Sequence, residues 1–550
     1  MGNQCCHVGC FRGLFPGLRP ARQDLVFLGA PVVRALPGPS GQLNAVLRGR
    51  LHLPRDDDYN AARGVPGSDG VVKYPLDASE EDASFRPTWN QDSIGYPVAI
   101  ACAVSVSEVQ EVVKYALEFC IPRGVHLCVA AGRHSHQCML DDAVVLDLSF
   151  MNKVKVDSVK RLAHAEGGAL LGQLEAACAE HGLATTGGHC ASLGVGGLIL
   201  QGGHGYLERK FGLMSDNLVA CEVVLASGEL VVASATENSD LFWALQGGGG
   251  NFGVVVSFTL RLHEIPPLLH AGQRSHVPLG CCGLPGRAEL IARFCALFEE
   301  GAPDEATGLL LLPSGGRVIE RLMWVGDPKD GKAFFDERCL GHPVADDRSS
   351  QSYAAGIQRF EFLDTGFFYP AGVLLSSFPQ AAVEAVASMV ERRSSPNSLC
   401  QVWIMPLGGE ASRRLPANSP YPHRSARVWI LIFARWKPSG NLDKDKAQRA
   451  KVVQWVRNLK QSLIPWTCGT YGVGAPLASA AETDWATAPI EGGAVGCYMG
   501  FRNIYGDHLP KLQVLKAKYD PQNVFQLNDN IVPGSMPRPP SPEVPDEYDI

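Results

Sequence analysis

The 550-residue sequence lacks the marks of several protein classes. No run of 18 or more apolar residues is present, so the sequence predicts no membrane-spanning helix. The formal net charge of -7 argues against nucleic acid as the main partner. The 17 cysteines form neither CxxC pairs nor zinc-finger spacings. We therefore expect mostly free thiols in a reducing compartment and no bound metal.

Common catalytic signatures are also missing. The sequence has no GxxxxGK[ST] loop, no HExxH and no GxSxG followed by a triad. The run Gly247–Gly253 matches part of a dinucleotide fingerprint, but it does not open a helix after a strand, which excludes a Rossmann site. The composition, 46% hydrophobic and 19% charged, is that of a globular protein. The length predicts two domains with extensions.

The N-terminus lacks the apolar core of a secretory signal. Met1-Gly2 is followed by Cys5 and Cys6, which resembles a myristoylated and palmitoylated terminus, although residue 6 is Cys where Ser or Thr is preferred. Two acyl chains suffice for stable anchoring. The alternative is an unmodified or organelle-targeting tail. The localisation is therefore open between the cytoplasm and a membrane surface reached through acylated Gly2, Cys5 and Cys6.

Breakers and periodicity divide the chain. Residues 1–88 contain Gly-Pro breakers and a polar run, which predicts an extension with little regular structure. Residues 89–265 mix strands and helices as an α+β domain does. Residues 266–495 predict a second domain, an antiparallel sheet covered by helices on one face. Residues 496–535 form a last ordered segment, and the Pro-rich, acidic residues 536–550 predict a disordered tail.

Individual elements follow from apolar spacing and from caps. A capping box at Ser105 and Glu108 predicts the start of a helix. The remaining pattern predicts strands over 125–131, 143–148, 218–226, 229–234, 253–262 and 428–433, and helices over 170–180 and 509–519.

The most distinctive stretch is Thr185–Gly205, TTGGHCASLGVGGLILQGGHG. Glycine costs conformational entropy, so this density indicates backbone that approaches a ligand closely or adopts positive φ. A cofactor with phosphate groups is the obvious candidate. Cys190 lies within the stretch and is either a packing thiol or a thiol bonded to that cofactor.

Three segments together resemble a known family: GRHSH at Gly132–His136, GGHCASLGVGG at Gly187–Gly197, and YDPQNVF at Tyr519–Phe525. Their order and spacing resemble those of the berberine-bridge-enzyme-like FAD-linked oxidases, in the vanillyl-alcohol-oxidase group with a PCMH-type FAD-binding domain. The resemblance spans roughly residues 89–535. It implies that residues 89–265 and 496–535 bind FAD and that residues 266–495 bind the substrate.

In this family a histidine and a cysteine bond covalently to the isoalloxazine ring, and the matching residues are His134 and Cys190. On residue chemistry alone, an ordinary loop histidine and an inert thiol stay open. Arg133 replaces a family glycine and is expected to bring a cation near the ring or the pyrophosphate, and Ala191 replaces a proline. Leu193 matches a position that sets oxygen access, where a bulky side chain goes with dehydrogenases.

The resemblance also implies which backbone groups contact FAD. We expect Gly253 and Val254 to border the adenine. Two sets of backbone N–H groups are suited to the pyrophosphate: those of Gly132, Arg133, His134 and Ser135, and those of Leu193, Gly194, Gly196 and Gly197.

Three residues are candidates for taking the proton of a substrate hydroxyl. Tyr498 in GCYMGF is favoured over Tyr471 in LIPWTCGTY, and either is equally interpretable as a core aromatic. His204 stands where plant members of the family often carry an active-site tyrosine, so it is expected to orient or deprotonate the hydroxyl. The alternative is a histidine held by backbone bonds. The residues 208–210 are expected to form a solvated turn.

The sequence therefore predicts an FAD-dependent oxidoreductase. It would transfer a hydride from the carbinol carbon of an alcohol or carbohydrate to a doubly linked flavin, which oxygen or another acceptor reoxidises. The alternative is a catalytically degenerate, lipid-anchored flavin-fold protein with a binding or structural role. The altered GRHSH segment suggests that alternative, and the retention of both His134 and Cys190 argues against it.

Overall fold

A computed structural model describes residues 34–65, 86–281, 285–299, 301–339, 341, 343–358, 365–415, 418–469 and 505–534. In this part of the chain the strands form sheets of four, five, two and nine strands. Tyr471, Tyr498, the N-terminal Gly2, Cys5 and Cys6, and residues 536–550 lie outside the described residues. No helix in the described residues combines the length and apolarity needed to cross a bilayer.

The first two sheets are built from the N-terminal half of the chain. The strands of these two sheets and of the two-stranded sheet are β1 Leu51–His52, β2 Ala99–Cys102, β3 Leu127–Ala130, β4 Val144–Asp147, β5 Val154–Asp157, β6 Leu162–Glu166, β7 Leu183–Ala184, β8 Leu218–Val224, β9 Leu230–Ser234, β10 Val254–Arg261 and β11 His263–Glu264. Strands β7 and β11 form the two-stranded sheet. The helices are α1 Ser40–Val46, α2 Tyr59–Ala62, α3 Val106–Tyr115, α4 Leu171–Ala179, α5 Val195–Ile199, α6 Glu208–Phe211 and α7 Ser239–Leu245.

The four-stranded sheet has the order β1-β2-β4-β3, with β2 and β3 both parallel to β4. Helix α3 starts as predicted, because the Ser105 hydroxyl accepts the backbone N–H of Glu108 at 3.4 Å. The five-stranded sheet, β5-β6-β10-β8-β9, is antiparallel and contains the predicted β8–β9 hairpin. The loop after β3 carries Gly132–His136, and the loop after β7, in the two-stranded sheet, carries Gly187–Gly197.

The nine-stranded sheet contains β12 Leu269–His276, β13 Ala306–Pro313, β14 Val318–Trp324, β15 Ala345–Asp346, β16 Ser349–Gln351, β17 Phe367–Leu375, β18 Gln401–Pro406, β19 Val428–Trp436 and β20 Thr467–Gly469. Its order is β15-β12-β14-β13-β18-β19-β17-β20, and β16 also pairs with β12. The remaining helices are α8 Arg287–Ala296, α9 Pro328–Arg338, α10 Tyr353–Gln358, α11 Gln380–Met389, α12 Glu410–Arg413, α13 Leu442–Leu463 and α14 Leu509–Tyr519.

Strand β19 shows how the two faces of this sheet differ. Ile430 and Ile432 join one core cluster with the buried faces of α8, α11 and α13. Trp429, Leu431 and Phe433 join another cluster, which also contains residues of β6, β8 and β10. Successive strand residues point to opposite faces, so one face is covered by helices and the other is presented to the rest of the molecule. The predicted α+β class, with an antiparallel sheet covered by helices, is confirmed.

Residues 34–65 differ from the prediction of an extension with little regular structure. Helix α1 and strand β1 bury Leu43, Leu47 and Leu51 in the core beside α3, and β1 pairs with β2. Tyr59 of α2 donates its hydroxyl to the Pro97 carbonyl oxygen at 2.5 Å. The prediction is wrong here because a few leucines complete a core that is formed by distant residues. The boundaries of the other domains stay predictions.

Candidate active site

A cleft lies between the glycine-rich loops and the nine-stranded sheet. We call its two walls the loop side and the sheet side. The loop side is formed by Gly132, Arg133, His134, Ser135, Gly188, His189, Cys190, Leu193, Gly194, Gly196 and Gly197. The sheet side is formed by Trp403, Trp429, Leu431 and Phe433 of β18 and β19.

The two loops of the loop side touch through their backbones at Gly132 and Gly194. A Cβ atom built on Gly132 would lie 2.1 Å from the Gly194 nitrogen, and one built on Gly194 would lie 2.6 Å from the Gly132 nitrogen. Only glycine permits so close an approach. This contact brings His134 and Cys190, 56 positions apart in sequence (190 minus 134), to one cavity.

His134 is buried and neutral. Its Nε2 atom lies 3.0 Å from the Ser192 hydroxyl oxygen. Its ring stacks on the Trp89 indole, with centroids 5.0 Å apart and planes at 17°. Burial lowers the pKa of His134 to about 3, partly offset by hydrogen bonding to the Ser192 backbone. A neutral imidazole keeps a lone pair on one nitrogen, so the ring is able to form a new bond.

Cys190 is a half-buried cysteine that forms no disulfide, and it lies on the opposite loop. A tight turn holds it, because the Leu193 N–H donates to the Cys190 carbonyl oxygen at 3.2 Å. The thiol lines the cleft, where a bound ring could reach it.

Arg133 has a backbone φ of +55°, in the left-handed region where the family has glycine. Its guanidinium lies 2.8 Å from Asp147 Oδ2, and neither side chain is exposed. It also donates to the carbonyl oxygens of Ala62 and Arg86. Arg133 lines the cleft, and Asp147 neutralises its charge. Its contact with the ring or the pyrophosphate stays a prediction. These bonds also let Arg133 support the His134 loop from beneath.

The chemistry of this cleft fits FAD. The glycine backbones allow phosphate groups to approach, and an imidazole and a thiol both face the space. A family model described as an FAD binding domain matches residues 97–234, and one described as berberine and berberine like matches residues 501–532. The chain is similar to the berberine-bridge-enzyme-like FAD-linked oxidoreductases. The predicted resemblance is confirmed.

Relatives extend this similarity over most of the chain. An FAD-linked oxidoreductase of Dictyostelium discoideum is 29% identical over 84% of this chain and 95% of its own. The (R)-6-hydroxynicotine oxidase of Paenarthrobacter nicotinovorans is 27% identical over 84% of this chain and 97% of its own. The structure of a carbohydrate oxidase from Microdochium nivale shares the fold, with a TM-score of 0.68 and 22% identity, over 90% of this chain and 99% of that one.

Within this FAD-linked oxidoreductase, His204 also lines the cleft and is held by two side chains. Its Nδ1 lies 2.6 Å from Glu208 Oε2, and its Nε2 lies 2.6 Å from the Tyr421 hydroxyl. The alternative of a histidine held by backbone bonds is wrong. The expected solvated turn is also wrong, because Glu208 and Arg209 are buried and Arg209 donates to the carbonyl oxygens of Ala306 and Leu407.

Other residues that are predicted to contact FAD also lie at the cleft. Gly253 and Val254 line the cleft, as do Leu193 and Ser135. The assignment of these residues to adenine or pyrophosphate stays a prediction. Tyr471 and Tyr498 lie outside the described residues, so their role as base also stays a prediction.

Sequence reasoning missed several residues of the cleft. The sheet side was not predicted, although the strand over 428–433 was. Trp89 and Asp529, which line the cleft, were also missed, as was Ser192, which contacts His134. Burial raises the pKa of Asp529 to about 7, and a hydrogen bond from Gln137 acts against this rise. Because side chains alternate between the two faces of a strand, the sequence of β19 would have shown which residues share a face of the sheet. It would not have shown which ligand that face contacts.

Proposed function

We propose that this FAD-linked oxidoreductase removes a hydride from the carbinol carbon of a small alcohol or carbohydrate. We further propose that its flavin is bonded covalently to His134 and Cys190. The observation that carries the proposal is the backbone contact between Gly132 and Gly194. This contact places a neutral imidazole and a thiol on the same wall of one cleft.

The two residues that would bond to the flavin, His134 and Cys190, are here called the tether residues, and each has a separate task. His134 offers a lone pair because burial keeps its ring neutral. Cys190 offers a thiol that is half exposed to the cleft. When held by these residues, FAD would supply the acceptor for the substrate hydride, and oxygen or another acceptor would reoxidise it. Two bonds from different loops would fix the ring against the protein and so free the sheet side for substrate.

The sheet side supports a ring-shaped substrate. Trp403, Trp429 and Phe433 present aromatic faces from neighbouring strands, and Trp403 lies opposite Leu431 in the ladder. Such faces bind planar rings and the apolar faces of sugars. A carbohydrate oxidase and a hydroxynicotine oxidase among the similar proteins act on ring substrates of these two kinds, to judge by their names.

Among the three candidates for accepting the proton of the substrate hydroxyl, His204 lies within the part of the chain that the structure describes. Glu208 accepts from its Nδ1 side and would stabilise a protonated ring. Both ring nitrogens are bonded, so His204 takes a proton only when Tyr421 gives up its hydrogen bond at Nε2. Tyr498 and Tyr471 are the other candidates. Leu193, which lines the cleft, is proposed to slow the reaction with oxygen relative to another acceptor.

Acid precipitation tests the proposal. Wild-type protein should give a yellow pellet, Cys190→Ala and His134→Ala should each keep flavin through the remaining bond, and the double variant should release all of it. Cys281→Ala, at an exposed cysteine of the second domain, is the matched control. A colourless wild-type pellet would refute the covalent linkage. A panel of alcohols and sugars with a dye acceptor, with and without oxygen, then tests the substrate class.

A further inference from the structure

The His134 ring is held from two directions. The Trp89 indole lies against its face, and Trp89 in turn stacks on Phe368 with centroids 4.2 Å apart. Stacking sets the plane of the imidazole but not which way round it lies. A half-turn about the Cβ–Cγ bond would place the ring carbons Cδ2 and Cε1 where Nδ1 and Nε2 lie, within the same plane. The hydrogen bond of Nε2 with Ser192 Oγ, at 3.0 Å, is the contact that distinguishes the two orientations.

The same contact engages Nε2 and not Nδ1. A neutral imidazole carries a proton on one nitrogen and a lone pair on the other. Burial keeps His134 neutral, since its pKa is lowered to about 3. In the tautomer in which Nε2 donates its proton to the Ser192 hydroxyl oxygen, the lone pair is on Nδ1.

We propose that Ser192 is a positioning residue for flavin attachment, which it directs to Nδ1 of His134. The proposal rests on the covalent linkage proposed above. Ser192 belongs to the turn that is closed by the bond from Leu193 N to Cys190 O. One short segment, 190–193, thus carries one tether and orients the other.

Attachment of the flavin to His134 breaks a C–H bond on the isoalloxazine ring system and forms an Nδ1–C bond. The carbon loses one proton, and the ring loses the Nε2 proton by way of the Ser192 hydroxyl. The two electrons that are released reduce the isoalloxazine system and pass to oxygen or to the dye acceptor of the proposed activity. Ser192 therefore both holds the ring and stabilises the charge that develops on Nε2.

The test isolates the histidine bond in a Cys190→Ala background. Apoprotein is mixed with FAD under air, samples are precipitated with acid over time, and the flavin in the pellet is measured. Ser192→Ala should slow attachment about tenfold, as expected for the loss of one hydrogen bond at the reacting ring. Ser192→Thr, which keeps the hydroxyl, should restore the rate. Thermal unfolding of each apoprotein monitors folding, and nuclear magnetic resonance of the flavin-bearing peptide identifies the bonded nitrogen.

The outcomes separate the two proposals. If the Cys190→Ala parent never retains flavin, the histidine linkage itself is wrong. If the parent retains flavin and Ser192→Ala attaches it at the parental rate, the role of Ser192 is overturned. Equal slowing in Ser192→Ala and Ser192→Thr also overturns it, because the hydroxyl would then be irrelevant. Attachment through Nε2 in the parent overturns the predicted orientation.

Discussion

The two walls of the cleft are built by different means. On the loop side the backbone is the structural material: Gly132 and Gly194 meet without side chains, and His134 and Cys190 project from the loops that this contact joins. On the sheet side the backbone is paired in β18 and β19, and only side chains such as Trp403 and Phe433 face the cleft. The loop side should therefore tolerate little change, whereas the sheet side should accept substitutions that alter substrate preference. The following predictions test this difference.

The largest effect is expected at the contact between the loops. Gly132→Val places a Cβ atom only 2.1 Å from the Gly194 nitrogen, so the loops must separate. We expect loss of FAD retention and a fall in the free energy of unfolding beyond the roughly 3 kcal/mol that overpacking commonly costs. Gel filtration with flavin absorbance and urea unfolding measure the two effects.

Gly197→Ala is the matched control for that prediction. No heavy atom lies within 4 Å of a Cβ built there, and Gly197 belongs to helix α5. Alanine should leave the apoprotein as stable as before, or more stable by up to about 1 kcal/mol. If Gly132→Val behaved like this control, the backbone contact would not be what joins the loops.

A second, smaller loss is expected beneath the loop side. Asp147→Asn leaves the Arg133 guanidinium buried without its counter-charge. Removing one partner of such a buried pair costs about 3–5 kcal/mol. Glu111→Gln breaks the exposed pair with Lys114 and should cost less than about 1 kcal/mol. Urea unfolding of the apoproteins decides, and equal costs for the two variants would contradict the burial argument.

The loop side was also the part of the site that could be predicted from sequence. Glycine, His134 and Cys190 occur there in an unusual local pattern. Such a pattern can be recognised in the sequence without knowledge of the fold. The contact between Gly132 and Gly194 was not predictable, because it joins two segments distant in the chain. The buried Glu208 was missed for the same reason: three charged residues in a row indicate solvent unless the partner four residues earlier, His204, is known to be buried.

The sheet side shows the opposite limit. Strand β19 was expected from its apolar run, and the structure extends it to Trp436. Yet Ile430 and Ile432, which face the helices, are as apolar as Leu431 and Phe433, which face the cleft. Composition cannot separate a core face from a ligand-binding face when both are buried. Only the tertiary arrangement assigns the aromatic residues to the cleft.

A pH-dependent effect should appear at Asp529, where the loop side meets the C-terminal segment. Burial raises the pKa of Asp529 to about 7, so the folded apoprotein binds its proton more tightly than the unfolded chain. This contribution is present in full below the unfolded pKa and is lost as the pH rises towards 7. Asp529→Asn should therefore gain stability relative to wild type between pH 5 and pH 8, by at most about 1.4 kcal/mol per pH unit.

Urea unfolding of the apoproteins at both pH values measures this difference, because the other titrating groups are shared and cancel. Asp57→Asn, at an exposed position, controls for the loss of one negative charge. A gap between Asp529→Asn and wild type that stays constant with pH would show that the carboxyl group is not protonated in the folded protein.

The smallest effect is expected on the sheet side. Trp403→Phe keeps an aromatic ring beside Phe433, whose centroid lies 4.6 Å from the indole, and removes only part of the buried surface. We expect a loss of about 1–2 kcal/mol in the free energy of unfolding. FAD should stay bound and acid-stable, because the glycine contact and both tether residues are untouched. The substrate panel should change instead, through KM more than kcat, since the ring would bind substrate equally before and during the reaction. Release of flavin from Trp403→Phe would mean that the two walls are not independent.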